Sequence, residues 1–232
     1  MSGIDARLAG LRGRIETAAR RAGRDPAAVT LLGVAKRIAS QAVADAVRAG
    51  LADVAENYVQ EAVGRRDVLC ALLPAGPPPR WHFIGRLQRN KARAVAEHFD
   101  VVHTLDREAL GAALERGAAA AGRRLEVLVQ VNTSGEAQKG GVAPEQAAAL
   151  LEAARAWHHL RVRGLMTIPA PADDPERSRP AFAALRALRD ALRPDHPDLA
   201  ELSMGMSGDF EVAIEEGATI IRVGTALFGP RP

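Results

Sequence analysis

Three lysines, Lys36, Lys91 and Lys139, stand among 31 basic side chains, and all the others are arginines. Arginine stays charged at any physiological pH, whereas lysine can lose its proton and attack a carbonyl carbon. A chain that meets its ordinary need for positive charge with arginine makes each lysine a candidate for amine chemistry. Lys36 has the most informative position. It closes the apolar run Val29-Thr-Leu-Leu-Gly-Val-Ala35, which reads as a fully buried strand. Two readings stand at this level: a strand-end lysine that snorkels to solvent, and a nucleophile held at the mouth of a fold.

A second cluster reads as an anion site. Ser203-Met-Gly-Met-Ser-Gly-Asp209 leads into a helical pattern beginning at Phe210, with Ser207 or Asp209 available as N-cap. Free backbone N–H groups at such a start, with Gly205 and Gly208 allowing close approach, suit a phosphate. Gly224-Thr225 supplies another small, N–H-rich turn, and Arg222 lies just before it. The competing reading is of plain turns with a capped helix, and of Arg222 in an ion pair with Glu215 or Glu216.

Positioning these groups requires alternating strands and helices. Ile4, Leu8, Leu11 and Ile15 predict an amphipathic helix over 3–22, ending near Gly23. Strands are predicted at 30–35, 52–55, 81–84, 100–103, 125–131, 161–166, 199–202 and 219–223. Helical patterns lie between them, near 40–49, 57–72, 88–98, 106–121, 144–156, 176–192 and 208–216. Such alternation implies parallel strands and right-handed crossovers. The economical solution is an α/β fold: a (β/α)8 TIM barrel with an extra N-terminal helix, one domain over 1–232. A doubly wound open sheet is the alternative, but no Gly-x-Gly-x-x-Gly turn follows an early strand.

Barrel chemistry gathers where strands end. Those ends carry Lys36, Glu56-Asn57-Tyr58, His82-Phe-Ile-Gly85, Thr104, Asn132-Thr-Ser134, Met166-Thr167, Ser203–Ser207 and Arg222–Thr225. Closure sets strand eight beside strand one, and so a phosphate grip beside an amine. Pyridoxal 5′-phosphate, a phosphorylated aldehyde, needs both. Arg222 would then point at the ring nitrogen, where a cation disfavours protonation and weakens the electron sink.

The bulk properties agree with a soluble protein. Net charge is only +3 and aromatics make up 3%, too little of either for nucleic acid, whose bases need stacking partners. No apolar run is long enough to span a bilayer, and no signal peptide opens the chain, so a cytoplasmic location is expected. The single cysteine, Cys70, excludes an internal disulfide and a cysteine-built zinc site, and reads as a buried small side chain. The histidines have no metal-like spacing.

Seven motifs in register resemble the pyridoxal phosphate homeostasis protein family, whose barrel is similar to the N-terminal domain of alanine racemase. They are Leu-Leu-Gly-Val-Ala-Lys36, Glu56-Asn-Tyr-Val-Gln-Glu61, Trp81-His-Phe-Ile-Gly-Arg-Leu-Gln-Arg-Asn-Lys91, Val131-Asn-Thr-Ser-Gly-Glu-Ala-Gln-Lys-Gly140, Gly164-Leu-Met-Thr-Ile168, Leu202-Ser-Met-Gly-Met-Ser-Gly-Asp209 and Arg222-Val-Gly-Thr-Ala-Leu-Phe-Gly229. The resemblance implies that Lys36 is the Schiff-base lysine and that Ser207, Gly224 and Thr225 hold the phosphate. It sets Arg222 against the ring nitrogen and Asn57 beside the ring. His82 is a further candidate over the site, and Met166, Met204 and Met206 are expected in its apolar walls. Two departures are visible: Ala35 and Arg37 flank the lysine where the family usually has Ser and Thr, and Val54-Ala55 replaces Phe-Gly.

The function expected is a non-catalytic carrier that holds the cofactor on Lys36 and buffers or delivers it. Amino acids, and transiently the apo forms of enzymes that use the cofactor, would be its partners, with the chain itself a monomer. The alternatives are a racemase-like enzyme and a Schiff-base aldolase acting on a sugar phosphate. Racemisation needs a second acid/base opposite the lysine; alanine racemase takes it from a further domain, whereas this sequence ends at Pro232. Lys91 opens a basic helix start and reads as a solvated face or an anion-docking patch. Lys139 is a candidate for transient capture of a second aldehyde.

Overall fold

The computed structural model describes residues 3–73, 77–136 and 140–230. Eight strands close into a parallel barrel in chain order. They are β1 (Thr30–Val34), β2 (Asp53–Glu56), β3 (Arg80–Phe83), β4 (Val101–Leu105), β5 (Leu125–Gln130), β6 (Leu160–Met166), β7 (Glu201–Met206) and β8 (Ile220–Val223). All eight are the predicted strands to within a few residues. β1 closes the ring against β8, with Leu32 paired to Asp53 on one side and to Arg222 on the other.

The helices are α1 (Gly3–Arg21), α2 (Ser40–Arg48), α3 (Val59–Leu72), α4 (Ala92–His98), α5 (Glu108–Ala120), α6 (Ala147–Ala154), α7 (Arg179–Leu192), α8 (Phe210–Glu215) and α9 (Thr225–Phe228). In α1, Ile4, Leu8, Leu11, Ile15, Ala18 and Ala19 form one buried stripe, with Asp5 in the first turn and Arg20 and Arg21 in the last, where they complement the helix dipole. That stripe packs against α8, α9 and α2. Arg7 Nε fastens α1 to Leu227 O at 2.7 Å, and Arg24 Nη1 binds Ile214 O at 2.6 Å. Because α9 is a single turn, the N-terminal helix occupies the flank that a full eighth barrel helix would cover.

Parallel strands covered on both faces read as continuous apolar runs, and β4 is buried at every position. One core fills the space between sheet and helices. A second, inside the barrel, is built from Leu32, Val34, Ala55, Leu128, Met166 and Ile220. Polar side chains also stand inside it, among them Asp53, His82, His103, Ser203 and Arg222.

Candidate functional site

The segment carrying Lys36 is a tight turn. Ala35 N extends the ladder to Ala55 O at 2.9 Å, and Ile38 N returns to Ala35 O at 2.9 Å. Between them Arg37 takes φ 58°, the only positive φ at a non-glycine residue among those described. A side chain in this left-handed region carries backbone strain that the surroundings must hold in place. Arg65 of α3 holds it. Its Nη2 donates to Ala35 O at 3.2 Å and its Nη1 to Ile38 O at 2.6 Å, gripping both ends of the turn, while its Nε donates to Glu56 Oε1 at 2.8 Å. The pair is buried, and burial raises the Glu56 carboxyl above its usual pKa, with Arg65 pulling it the other way. Lys36 itself is half-buried, its Nζ 5.3 Å from the centre of the Tyr58 ring.

Glu56 is marked in the sequence by its place at the end of β2 and at the head of a motif, whereas nothing singles out Arg65. The available signal is that Val59, Ala62, Arg65 and Leu69 are the buried positions of α3, so an arginine occupies an apolar stripe. The same helix corrects one expectation. Cys70 is exposed, because it lies off that stripe and one residue past Leu69.

Opposite the lysine turn, across the β8–β1 seam, β7 runs into Ser207-Gly208 and then α8. Gly224 N and Ala226 N both point at Ser207 Oγ, at 3.3 and 3.4 Å. The expected small turn at Gly224-Thr225 is the start of α9, a four-residue helix. Ser207 and Gly224 are half-buried and Thr225 is exposed. Nothing lies within 4 Å of the place a side chain would occupy on Gly208, so the approach is open. Asp209 takes the cap position of α8, but its carboxylate accepts from Met206 N at 2.6 Å, which ties the loop back on itself.

Arg222 forms the floor. It is buried, donating through Nη1 to Ser203 Oγ at 2.7 Å and through Nη2 to Thr167 O at 2.9 Å. Burial lowers its pKa to about 10, with Asp209 acting the other way. The ion pair with Glu215 or Glu216 is not formed. Glu215 pairs with Arg21 and Arg179, and Glu216 with Arg179 and Arg186. Arg222 makes no ion pair among the described residues. A buried cation without a contacting anion is costly, and its site suits a ligand atom with a lone pair.

Asn57 is half-buried beyond β2, and Gly85 lies so close that a Cβ there would sit 2.1 Å from Asn57 O. Met166 packs in the inner apolar layer and Met204 in the outer core, whereas Met206 is exposed. His82 is buried, with both ring nitrogens engaged, Nε2 by Asp53 Oδ1 and Nδ1 by His103 Nε2, each at 2.9 Å. Lys91 lines a cavity of about 780 Å³ with Asn57, Tyr58, Arg86 and Arg107. Lys139 lies outside the described residues. Among the described residues there is no group of three or more His, Cys, Asp or Glu that could hold a metal, and no helix long and apolar enough to cross a membrane.

An amine at the end of β1, the Ser207 hydroxyl with the N–H groups of Gly224 and Ala226 gathered on it, and a buried cation without an ion-pair partner between them fit a phosphorylated aldehyde with a ring nitrogen. Comparison with known proteins points the same way. The family described as alanine racemase, N-terminal domain, matches residues 7–232. The pyridoxal phosphate homeostasis protein of Pseudomonas aeruginosa is 48% identical over 231 residues, covering 100% of this chain and 97% of the relative. Its namesake in Escherichia coli is 41% identical, covering 100% and 98%. Among solved structures, PipY of Synechococcus elongatus with pyridoxal phosphate bound superposes with TM-score 0.83 at 37% identity, over 97% of this chain and 100% of that one. An alanine racemase of Clostridium difficile shares the fold, with TM-score 0.74 at 16% identity over 100% of this chain and 57% of its own. The chain therefore belongs to the pyridoxal phosphate homeostasis protein family, built on the alanine racemase N-terminal domain.

Proposed function

We propose that this chain binds pyridoxal 5′-phosphate as a Schiff base on Lys36 and buffers or delivers it, without serving as an enzyme. The observation that carries the reading is the buried, unpaired Arg222 between an amine-bearing turn and the N–H groups of Gly224 and Ala226. Bound there, the cofactor supplies an electrophilic aldehyde, whose oxygen leaves as water when the Lys36 amine condenses with it. Ser207, Gly224 and Thr225 hold the phosphate. Arg222 presents N–H groups to the ring nitrogen, so the ring stays unprotonated and is a poor sink for carbanion electrons. Asn57 borders the ring, Met166 closes the apolar floor, and His82 acts from beneath, through its neighbours.

A carrier of this kind exchanges amines and needs no second acid/base. Tyr58, the only tyrosine, packs against Lys36 itself. Two-sided proton exchange would need another group. Amino acids reach the aldehyde by displacing the Lys36 amine, and apo-enzymes receive the released cofactor.

The test is the visible spectrum of the purified chain before and after borohydride, with peptide mapping, on wild type and Lys36→Ala. The expected result is a yellow protein whose reduced adduct maps to Lys36, and no band in the variant. A colourless wild type that takes up no added cofactor overturns the reading in favour of an aldolase-type site. Racemisation of amino acids at enzymic rates by the yellow protein overturns the carrier role alone.

A further inference from the structure

Beneath the candidate site a polar chain crosses the barrel interior. Arg222 Nη1 on β8 donates to Ser203 Oγ on β7 at 2.7 Å, and Ser203 Oγ lies 2.9 Å from His103 Nδ1 on β4. His103 Nε2 is 2.9 Å from His82 Nδ1 on β3, and His82 Nε2 is 2.9 Å from Asp53 Oδ1 on β2. Ser203, His103 and His82 are buried. Asp53 is 16% exposed and lines two clefts with Thr30, Leu51 and Ala52, at the N-terminal ends of the strands.

The two ends give this chain a direction. A guanidinium only donates, so Ser203 Oγ accepts from Arg222 and has its own proton left for His103 Nδ1. A carboxylate only accepts, so His82 carries its proton on Nε2. A neutral His82 then accepts at Nδ1, which requires the His103 proton on Nε2 and leaves His103 Nδ1 bare for Ser203. Every link has one donor and one acceptor, and each points from Arg222 to Asp53. Burial holds the His103 pKa well below its usual value, and the cations Arg222 and Arg80 lower it further, so this ring is neutral. The charged groups around the pair are Arg222, Asp53, and Arg80 with its partner Glu126 on β5.

We propose that Ser203, His103, His82 and Asp53 form a one-way positioning relay that links the buried cation Arg222 to a carboxylate across the barrel and fixes the guanidinium beneath the cofactor. This deepens the proposed function and rests on it for the ligand, but the relay is testable without ligand. A contacting carboxylate would neutralise Arg222 directly. A carboxylate four hydrogen bonds away instead orients it and leaves its remaining N–H groups free. A cationic His82 would reverse both imidazole links and turn two donors on Ser203.

The first measurement is long-range ¹H–¹⁵N NMR on the full, ligand-free chain with labelled histidine at pH 7. The expected result is that His82 and His103 are both neutral and protonated on Nε2. A proton on Nδ1 of either ring, or a charged His103, overturns the relay. The second uses Asp53→Asn, whose amide can donate or accept. Loss of the single-tautomer signature at His82 and faster exchange of the Arg222 side-chain N–H groups are expected, by about tenfold when one anchoring hydrogen bond weakens. In the cofactor-loaded variant the pH midpoint of the visible band should fall by on the order of half a unit, because a negative charge has been removed. An unmoved midpoint with unchanged Arg222 exchange overturns the positioning role. A wild type without a visible band sinks the cofactor reading while the tautomers still decide the relay. A visible band with reversed tautomers sinks the relay alone.

Discussion

Replacing Arg65 by methionine isolates the brace behind Lys36. Arg65 is 7% exposed and Glu56 fully buried, and the guanidinium holds Glu56 Oε1 at 2.8 Å and Ile38 O at 2.6 Å. Methionine keeps much of the arginine stem's packing and deletes every donor. It leaves Glu56, whose Oε2 already has no hydrogen-bond partner, as an uncompensated buried carboxylate. Breaking a buried ion pair from one side costs about 3–5 kcal/mol. For a chain of this size that lowers the melting temperature by roughly 6–20 °C. The double variant Glu56→Gln/Arg65→Met removes the stranded charge as well and should recover about half the loss, since a buried neutral amide is far cheaper than an ion.

The loss also has a pH signature. Burial raises the Glu56 pKa in the folded protein even against the pull of Arg65, and removing Arg65 raises it further. A carboxyl with a raised folded pKa binds more protons folded than unfolded between its two pKa values, so stability falls as pH rises through that window. The deficit of Arg65→Met is therefore largest at pH 7 and above, and shrinks as pH falls toward the ordinary carboxylate range. Urea and thermal melts of the three proteins from pH 5 to 8 measure it, with hydrogen exchange of the 35–40 amides reporting on the turn. A loss below about 1 kcal/mol for the single variant, the range of exposed ion pairs, would refute the reasoning. So would a double variant no more stable than the single one.

Two further predictions concern groups that touch the site. Ser207→Ala should weaken binding of pyridoxal 5′-phosphate roughly ten- to hundredfold in a fluorescence titration, the worth of one hydrogen bond to a charged group. Its melt should stay near wild type; an unchanged affinity would place the phosphate elsewhere. At position 37, where φ is 58°, Arg37→Gly should be more stable than Arg37→Ala by about 1 kcal/mol in urea unfolding, because only glycine occupies that region without a Cβ clash. Equal stabilities would show that the turn has relaxed.

Much of this protein was legible without coordinates because the signals are local. The stripe Ile4–Leu8–Leu11–Ile15 fits one face of one helix, and apolar runs such as Val101–Leu105 fit a strand covered on both faces. Lys36 and the Ser207–Gly224–Thr225 segments became candidates by residue type and by position at strand ends, where parallel barrels expose their loops. The length of α9 and the exposure of Cys70 were harder to read, since one turn of helix has no periodicity and the apolar residues of α3 are spread around it.

The wiring came only from the tertiary structure. Alternation along a strand says that His82, His103, Ser203 and Arg222 point to one face. It says nothing of which inward residue on one strand meets which on another. That is set by register and stagger around the closed ring, where Asp53 and Arg222 both pair with Leu32. His103 and Ser203 are 100 residues apart and meet across the barrel, and Arg65 reaches back 30 residues to Ala35. Sequence periodicity determined which side chains face inward or outward and which residues stand at the strand ends. Barrel closure decided which buried charges and hydrogen-bonding groups have partners, because that satisfaction is a property of the packed whole.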